Sequence, residues 1–238
     1  MASEIKRPLA DRMRPESLDD VVGQAHILSK GKVLYNIIES GNIPNMIFYG
    51  PSGTGKTTVA NIAAKRAGKP LYKLNATNAS VSDIKSMLAE SESLLGADGV
   101  VLYLDEIQNF NKKQQQSLLE CIENGRVTLI ASTTENPYFY IYNAILSRST
   151  VFEFRGVEAP DIEKALRRSV EGMGGEIELT DEACEHMAMS ACGDVRKALN
   201  SLEVAVMASH MNESGRTVID LETAQAVTMR KAFRHDRD

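Results

Sequence analysis

The chain has 238 residues, 43% hydrophobic and 25% charged, enough for one large domain or two small ones around a substantial core. A net charge of −5 excludes a general electrostatic grip on nucleic acid and leaves only local basic patches for such a contact. No apolar run approaches the roughly 18 residues of a membrane span, and the polar, charged stretch Met1 to Arg14 does not read as a signal segment.

Residues up to Gln24 read as an extended arm punctuated by Pro15 and Gly23 and tied down by Val21 and Val22. A short helix is predicted from Lys32 to Ser40, with Leu34, Ile37 and Ile38 inward and Gly41 as its stop. Met46 to Tyr49 is an apolar, β-prone run. It leads into Gly50-Pro51-Ser52-Gly53-Thr54-Gly55-Lys56-Thr57, which fits the phosphate-loop pattern of Gly, four residues, Gly-Lys and Ser or Thr. Thr58 to Ala67 then reads as a helix. The order is what phosphate chemistry needs. Glycines let backbone N–H groups curl around phosphate oxygens, and the following helix adds its positive dipole end. Lys56 would reach the β- and γ-phosphates of a nucleoside triphosphate, and the Thr57 hydroxyl would sit on Mg²⁺.

Leu71 to Asn75 reads as a short strand, and Ser80 to Asp83 as the capping box of a helix running to Leu95. Gly99 to Leu104 is a continuous apolar run, expected of a strand covered on both faces, and it ends in Asp105-Glu106. A carboxylate at a strand end can hold Mg²⁺ opposite Thr57, and its neighbour can orient and deprotonate water. Asp105 is assigned the metal and Glu106 the water. Lys112 to Glu123 is the next helix, closed by Asn124-Gly125. A buried strand follows from Val127 to Ala131, then a polar loop from Ser132 to Pro137, a helical stretch through Leu146 and a last strand, Val151 to Phe154. Strands alternating with helices imply a parallel sheet covered on both faces, whose ligands bind at the carboxyl ends of the strands.

From Ala159 the apolar spacing is helical throughout: Ile162, Ala165, Leu166 and Val170, then Ala183, Met187 and Ala191. Val195, Ala198, Leu199, Leu202 and Val206 follow, and a fourth helix carries Leu221, Ala224 and Val227. The expected organisation is therefore an α/β nucleotide-binding domain over residues 1–156 and a small all-helical domain over 157–238. Cys121, Cys184 and Cys192 lack CxxC spacing and suggest neither disulfides nor zinc, in keeping with the cytosol. Tyr138-Phe139-Tyr140-Ile141-Tyr142 reads as core or subunit contact in preference to base stacking. Arg167-Arg168, Lys112-Lys113 and the tail residues Arg230, Lys231, Arg234 and Arg237 are candidates for DNA phosphates, though each alone reads as a solvated face. By spacing alone Arg148 and Arg196 are surface residues, and Thr133 and Thr134 β-prone loop residues.

Taken together and in this order, these pieces resemble the AAA+ ATPases of the clamp-loader group, and within it the replication-associated recombination protein A family. The likeness rests on Pro8 to Pro15, Asp20 to Gln24, the phosphate loop, Asp105-Glu106-Ile107 with Phe110-Asn111-Lys112, Thr133 to Pro137, Leu146-Ser147-Arg148 and Gly193 to Asn200. It implies a P-loop core with a five-stranded parallel sheet flanked by helices, followed by a helical lid. It also implies ATP hydrolysis with Mg²⁺, cytoplasmic and nucleoid-associated work on gapped, forked or single-stranded DNA in replication-associated recombination and repair, and a homo-oligomeric ring. Single-strand-binding protein is a further partner it suggests. Under it Val21, Val22, Gly23 and Gln24 would line the adenine pocket, and Gly50 to Thr58 would hold the phosphates. Thr134, with Thr133 as the alternative, would sense the γ-phosphate. Arg148 would reach the neighbouring subunit's nucleotide, and Arg196 would close over its own. Asn75 matches a position that in some relatives restrains the catalytic glutamate.

The sequence departs from the family pattern at Gln108-Asn109, where a His-Arg pair is common, and at Tyr140 and Tyr142, where polar residues are. Family chains usually continue past Asp238 into a helical region linked to oligomerisation, so a core with weakened ring assembly is expected. A clamp-loader subunit or a Holliday-junction branch-migration motor would share the catalytic residues and remains the alternative.

Overall fold

In the computed structural model the chain is described over residues 7–80, 82–84, 86, 99–123, 125–174, 177–209 and 215–229. It forms two compact units, one spanning Glu16–Phe154 and the other combining the segment from Arg155 with the N-terminal arm up to Pro15.

The first unit is built on five parallel strands: β1 (Met46–Tyr49), β2 (Leu71–Asn75), β3 (Val100–Asp105), β4 (Val127–Thr133) and β5 (Thr150–Glu153). Their order across the sheet is β2-β3-β4-β1-β5. Every strand runs the same way, because each returns through a crossover helix or loop. The alternation of side chains then fills two cores. Met46, Phe48, Val101, Tyr103 and Ile130 face the Lys56–Arg66 helix with Val59, Ala60 and Ala63. Ile47, Leu102, Leu104, Leu129 and Ala131 face the Lys112–Glu123 helix with Leu118 and Ile122. Tyr103 and Asp105 fall on the same face of β3, the one turned to the phosphate loop's helix, because side chains repeat every two residues.

The stretch up to Gln24 is not extended throughout: Leu9–Arg12 forms one helical turn and Leu18–Asp20 a 3₁₀ turn, each too short to carry a helical period. Two boundaries also shift. β4 extends through Ser132 and Thr133 instead of ending at Ala131; both are buried, and Thr133 pairs in register with Tyr49. The helix after the phosphate loop begins at Lys56 instead of Thr58, because Gly55 at φ +98° turns the chain directly into the first helical residue. Ser80 and Asp83 form the expected reciprocal capping box, the Ser80 amide donating to Asp83 Oδ2 at 2.7 Å and the Asp83 amide to Ser80 Oγ at 3.3 Å. The rest of the helix predicted to Leu95 lies outside the described residues, as do Asn124 and the tail residues Arg230, Lys231, Arg234 and Arg237.

The second unit is mainly helical, with helices Ala159–Gly172, Asp181–Ser190, Val195–Ala208 and Leu221–Met229 packed through Ile162, Leu166, Met187, Leu199 and Leu202. Two features were not expected. Three-residue strands β6 (Ile177–Leu179) and β7 (Thr217–Ile219) pair in parallel, so this unit is not all-helical; runs this short carry no periodicity of their own. The arm expected with the α/β domain packs here instead. Leu9 is fully buried, its amide donates to Glu203 Oε1 at 3.0 Å, and Met13 packs where a β-carbon on Gly172 would lie. The division into units falls at Arg155, and residues 7–15 belong with the helical unit. Among the described residues no helix is long and apolar enough to cross a membrane.

Burial in this unit sets thiol reactivity. The Cys184 side chain is fully buried, and desolvation pushes its pKa up to about 11 against the opposing pull of Arg167, while Cys192 is exposed. At pH 8 a maleimide is expected to label Cys192 in the native protein and to reach Cys184 only in denaturant, as peptide mass mapping would read. Native labelling of Cys184 at a comparable rate would contradict its burial.

Candidate active site

The site sits where the sheet's geometry puts it. β3, β4 and β1 are neighbours, and the pairings Tyr49 with Thr133 and Leu104 with Ala131 bring their carboxyl ends to one level. Those ends and the turns that leave them carry the phosphate loop, Asp105-Glu106 and Thr133-Thr134, on the edge where open parallel sheets bind ligands.

The phosphate loop is held from below by the sheet. The Gly50 amide donates to the Thr133 carbonyl at 3.1 Å, and the Phe154 amide to the Tyr49 carbonyl at 2.7 Å. Gly50, at φ +138°, passes so close to β5 that a β-carbon there would lie 1.9 Å from the Phe154 carbonyl oxygen. No other residue fits. Gly53 at φ +67° and Gly55 at φ +98° complete the curl. Thr54, buried, donates its hydroxyl to the Pro51 carbonyl at 2.9 Å. Lys56 is 8% exposed, and its Nζ donates to the carbonyls of Gly50 and Pro51, each at 2.7 Å. The cation is thus fixed inside the loop and not free to sweep solvent. Val21 approaches the loop at Gly55, where its Cγ1 lies 3.7 Å from the position of an added β-carbon. Gly23 and Gln24 follow in the left-handed region, and Gln24 is buried.

Between Thr57 and Asp105 lies a group that no sequence motif singles out. The Tyr103 hydroxyl is 2.9 Å from Thr57 Oγ1, 2.9 Å from Ser132 Oγ and 3.3 Å from Asp105 Oδ1. Ser132 in turn donates to Asp105 Oδ1. One ordering of protons satisfies the chain: Thr57 donates to Tyr103, Tyr103 to Ser132, and Ser132 to the carboxylate. The Thr57 oxygen then keeps its lone pairs for a cation. Burial, reinforced by the Asp105 charge, raises the Tyr103 pKa well above its ordinary value, so the phenol stays protonated. The period-2 pattern could have placed Tyr103 beside Asp105, but nothing in the sequence marks a tyrosine within an apolar strand as polar machinery.

One carboxylate and one hydroxyl flanking a phosphate loop suit Mg²⁺, which keeps much of its shell in water and phosphate oxygens. A dedicated protein cage is not required, and among the described residues no cluster of three His, Cys, Asp or Glu exists. Asp105 and Thr57 fit that ion.

Glu106 follows Asp105 in the left-handed region at φ +55°, rare for a residue with a side chain. Its Oε2 accepts from the Gln108 side-chain amide. Asn75 does not touch it. The Asn75 Oδ1 accepts from the Thr77 amide at 2.9 Å and hydroxyl at 2.6 Å, which closes its own turn. The hydrogen bonds of Asn75 described here serve its own turn, and the one described on the Glu106 carboxylate comes from Gln108. Thr134 is exposed at the end of β4, whereas the buried Thr133 hydroxyl accepts from the Glu135 amide at 3.0 Å.

Arg148 lies apart from this cluster within its own unit. Arg148 precedes β5 by two residues, and Thr150 pairs with Met46, the first residue of β1. Arg148 thus stands at the amino edge of the sheet, the opposite edge from the loop that follows Tyr49; at a rise of ~3.3 Å per residue β1 alone separates them by roughly 13 Å. Its guanidinium pairs with Glu123 at 2.8 Å and donates to the Ala144 carbonyl at 3.0 Å, on the surface. Arg196 belongs to the helical unit, exposed in the first turn of the Val195–Ala208 helix, which Asp194 caps by accepting from the Lys197 amide at 2.9 Å. Tyr138, Phe139 and Tyr140 are exposed to 64%, 82% and 51%, which removes the reading of these three as core. Arg167 pairs with Asp181 at 2.6 Å on the surface.

Comparison with known proteins agrees with this geometry. The ATPase family associated with various cellular activities (AAA) matches residues 46–157, and the AAA C-terminal domain matches residues 173–238. Replication-associated recombination protein A of Bacillus subtilis is 38% identical over 237 residues, covering 98% of this chain and 56% of its own length. The protein of the same description in Escherichia coli K12 is 37% identical over 236 residues, covering 97% of this chain and 53% of its own. The chain thus spans about half the length of these relatives. Among solved structures, the RuvB Holliday junction branch migration motor of Thermotoga maritima superposes with a TM-score of 0.75 at 22% identity, covering 92% of this chain and 72% of that one, which is a likeness of fold.

The Tyr103 hydroxyl serves three polar neighbours in a buried place, so Tyr103→Phe is expected to lower stability to urea by about 1–3 kcal/mol. A loss within error would mean that Thr57 and Ser132 need no such partner.

Proposed function

This chain belongs to the AAA ATPase family, and from that premise we propose that it binds and hydrolyses ATP with Mg²⁺ and acts on DNA at replication forks. The observation that carries the catalytic part is the polar chain from Thr57 through Tyr103 and Ser132 to Asp105, set between the phosphate loop and Glu106.

The backbone amides of Gly50 to Thr57 and the start of the Lys56–Arg66 helix would cradle the phosphates, with Thr58 in the helix's first turn. Val21, Val22, Gly23 and Gln24 would line the base. Lys56, already fixed inside the loop, would meet the β- and γ-phosphate oxygens. Thr57 and Asp105 would hold Mg²⁺, which neutralises charge on the transferring phosphoryl group when bound. Glu106 would orient a water for in-line attack and take its proton. Thr134, exposed beside this cluster, would contact the γ-phosphate end, and Arg196 would close over the nucleotide from the helical unit.

Arg148 stands at the wrong edge of its own sheet to serve its own loop, which supports a role on the nucleotide of a second copy and hence a ring. Fingers supplied in this way typically give 10³- to 10⁵-fold in rate. The exposed Tyr138–Tyr140 segment, a few residues upstream of Arg148, suits contact with that copy. DNA action rests on the likeness to proteins named for replication-associated recombination. A bacterial cytoplasmic setting on the nucleoid and single-strand-binding protein as a partner are part of the same proposal. The runner-up is a clamp-loader subunit or branch-migration motor with the same catalytic residues, which the RuvB-like fold favours.

Glu106→Gln is expected to bind ATP within about threefold of the unsubstituted chain while turnover falls by at least about a hundredfold. Equal loss of binding and turnover would make Glu106 a structural residue. In mixtures, Arg148→Ala and Lys56→Ala proteins, each inactive alone, are expected to regain phosphate release, because one supplies the site and the other the arginine. No recovery at any mixing ratio would remove the assignment to a second copy. Turnover that rises per subunit with protein concentration, and further with forked DNA, would support assembly and DNA coupling together.

A further inference from the structure

We propose that Gln108 is the positioning residue for Glu106: its side-chain amide holds the carboxylate that activates water. The proposal rests on the catalytic reading of Glu106 given above.

The backbone brings these two side chains together. Glu106 takes a left-handed conformation, and Ile107–Asn109 follows as a single 3₁₀ turn closed by the Asn109 amide donating to the Glu106 carbonyl at 2.9 Å. Ile107 is fully buried and Phe110 nearly so, so both ends of the turn are anchored in the core. Gln108 between them has little freedom, and its Nε2 donates to Glu106 Oε2. A non-glycine residue held at positive φ costs energy that the fold must recover elsewhere, and such residues gather at functional sites. Here the conformation turns the Glu106 carboxylate back toward the amide two residues later. One carboxylate oxygen is taken by the amide, and the other is left to accept from water. A general base steadied by a third group is the recurrent arrangement for activating a nucleophile.

The other end of the same amide is the second observation. Among the described residues Gln108 Oε1 is buried and has no hydrogen-bond partner. A buried acceptor without a donor is destabilising, and a side chain selected only for packing would carry no such atom. An apolar residue of the same shape would be more comfortable. That Gln108 is tolerated points to its donor end, the end on Glu106.

The test exploits these opposed effects. Gln108→Met keeps the shape, removes the orphaned oxygen and removes the donor; Gln108→Glu keeps the shape and the acceptor but places a second carboxylate beside Glu106. Both are made in the full chain beside Glu106→Gln. The readouts are kcat and KM for ATP, binding of a non-hydrolysable ATP analogue, and the thermal midpoint. Expected are a fall in kcat of about tenfold or more in both variants, as for loss of a hydrogen bond to a charged group, analogue binding within twofold, and no fall in the midpoint of Gln108→Met. A midpoint that drops while kcat holds would make Gln108 a packing residue and overturn the proposal. So would an unchanged kcat in both variants while Glu106→Gln is inactive. If Glu106→Gln turns over normally, or the unsubstituted chain releases no phosphate, the catalytic reading itself fails and this inference with it.

Discussion

The site depends on a missing side chain. Between residue 50 and the Phe154 carbonyl there is no room for a single carbon, and the two backbones meet there because β1 and β5 pair in register up to Tyr49 and Glu153. That close approach fixes the first residue of the phosphate loop against the sheet. The Gly50 amide, turned to the Thr133 carbonyl, ties it to β4 on the other side. With both flanks fixed, the remaining glycines can take positive φ and turn the next amides outward, and the Lys56–Arg66 helix starts in one direction only. The glycine costs chain entropy on folding. The return is a loop whose shape is set before any ligand arrives, so binding does not have to order it.

From that anchor the polar groups follow by strand arithmetic. Tyr103, two residues before Asp105 and on the same face, is carried to the level of Thr57 at the start of the helix. Ser132, one residue before Thr133 on the neighbouring strand, closes the chain to the carboxylate. These groups lie where water is largely excluded, so every unpaired one would be costly. The serial arrangement leaves none unpaired. It also orients them, since a single direction of donation fits a carboxylate at one end and a threonine oxygen presented to a cation at the other.

The phosphate loop, the Asp105-Glu106 strand end and all five strands were legible in the sequence because each is a local pattern: glycine spacing, an apolar run, a polar terminus. Tyr103 and Gln108 were not legible. Each acts through a partner brought close by register or by a backbone turn, and neither register nor a left-handed Glu106 is written in residue spacing. Asn75 shows the converse. Position alone nominated it to restrain Glu106, but Thr77 two residues on offers it an amide and a hydroxyl at once. Local hydrogen bonding of Asn to its own turn is a strong competitor for a distant role. The two short strands of the helical unit, and the arm that joins it, escaped for a related reason: three residues make no period, and an arm shows its docking partner only once Leu9 is seen to be buried.

The direction of the sheet also decides how a second copy can matter. In a parallel sheet all carboxyl ends share one edge, so everything that touches phosphate gathers there, and the amino edge is left without a ligand of its own. Arg148 is on that amino edge, two residues before β5. Its pairing with Glu123 is a surface contact, worth about 0–1 kcal/mol, too weak to hold the guanidinium against a better anion. A charge that stands on the far edge and is weakly held is poorly used within one chain. It is well used if the amino edge of one copy faces the carboxyl edge of the next. That head-to-tail contact repeats without a two-fold axis, and it closes only as a ring or runs on as a filament. On this reading, the nucleotide site and the assembly surface are two edges of one sheet.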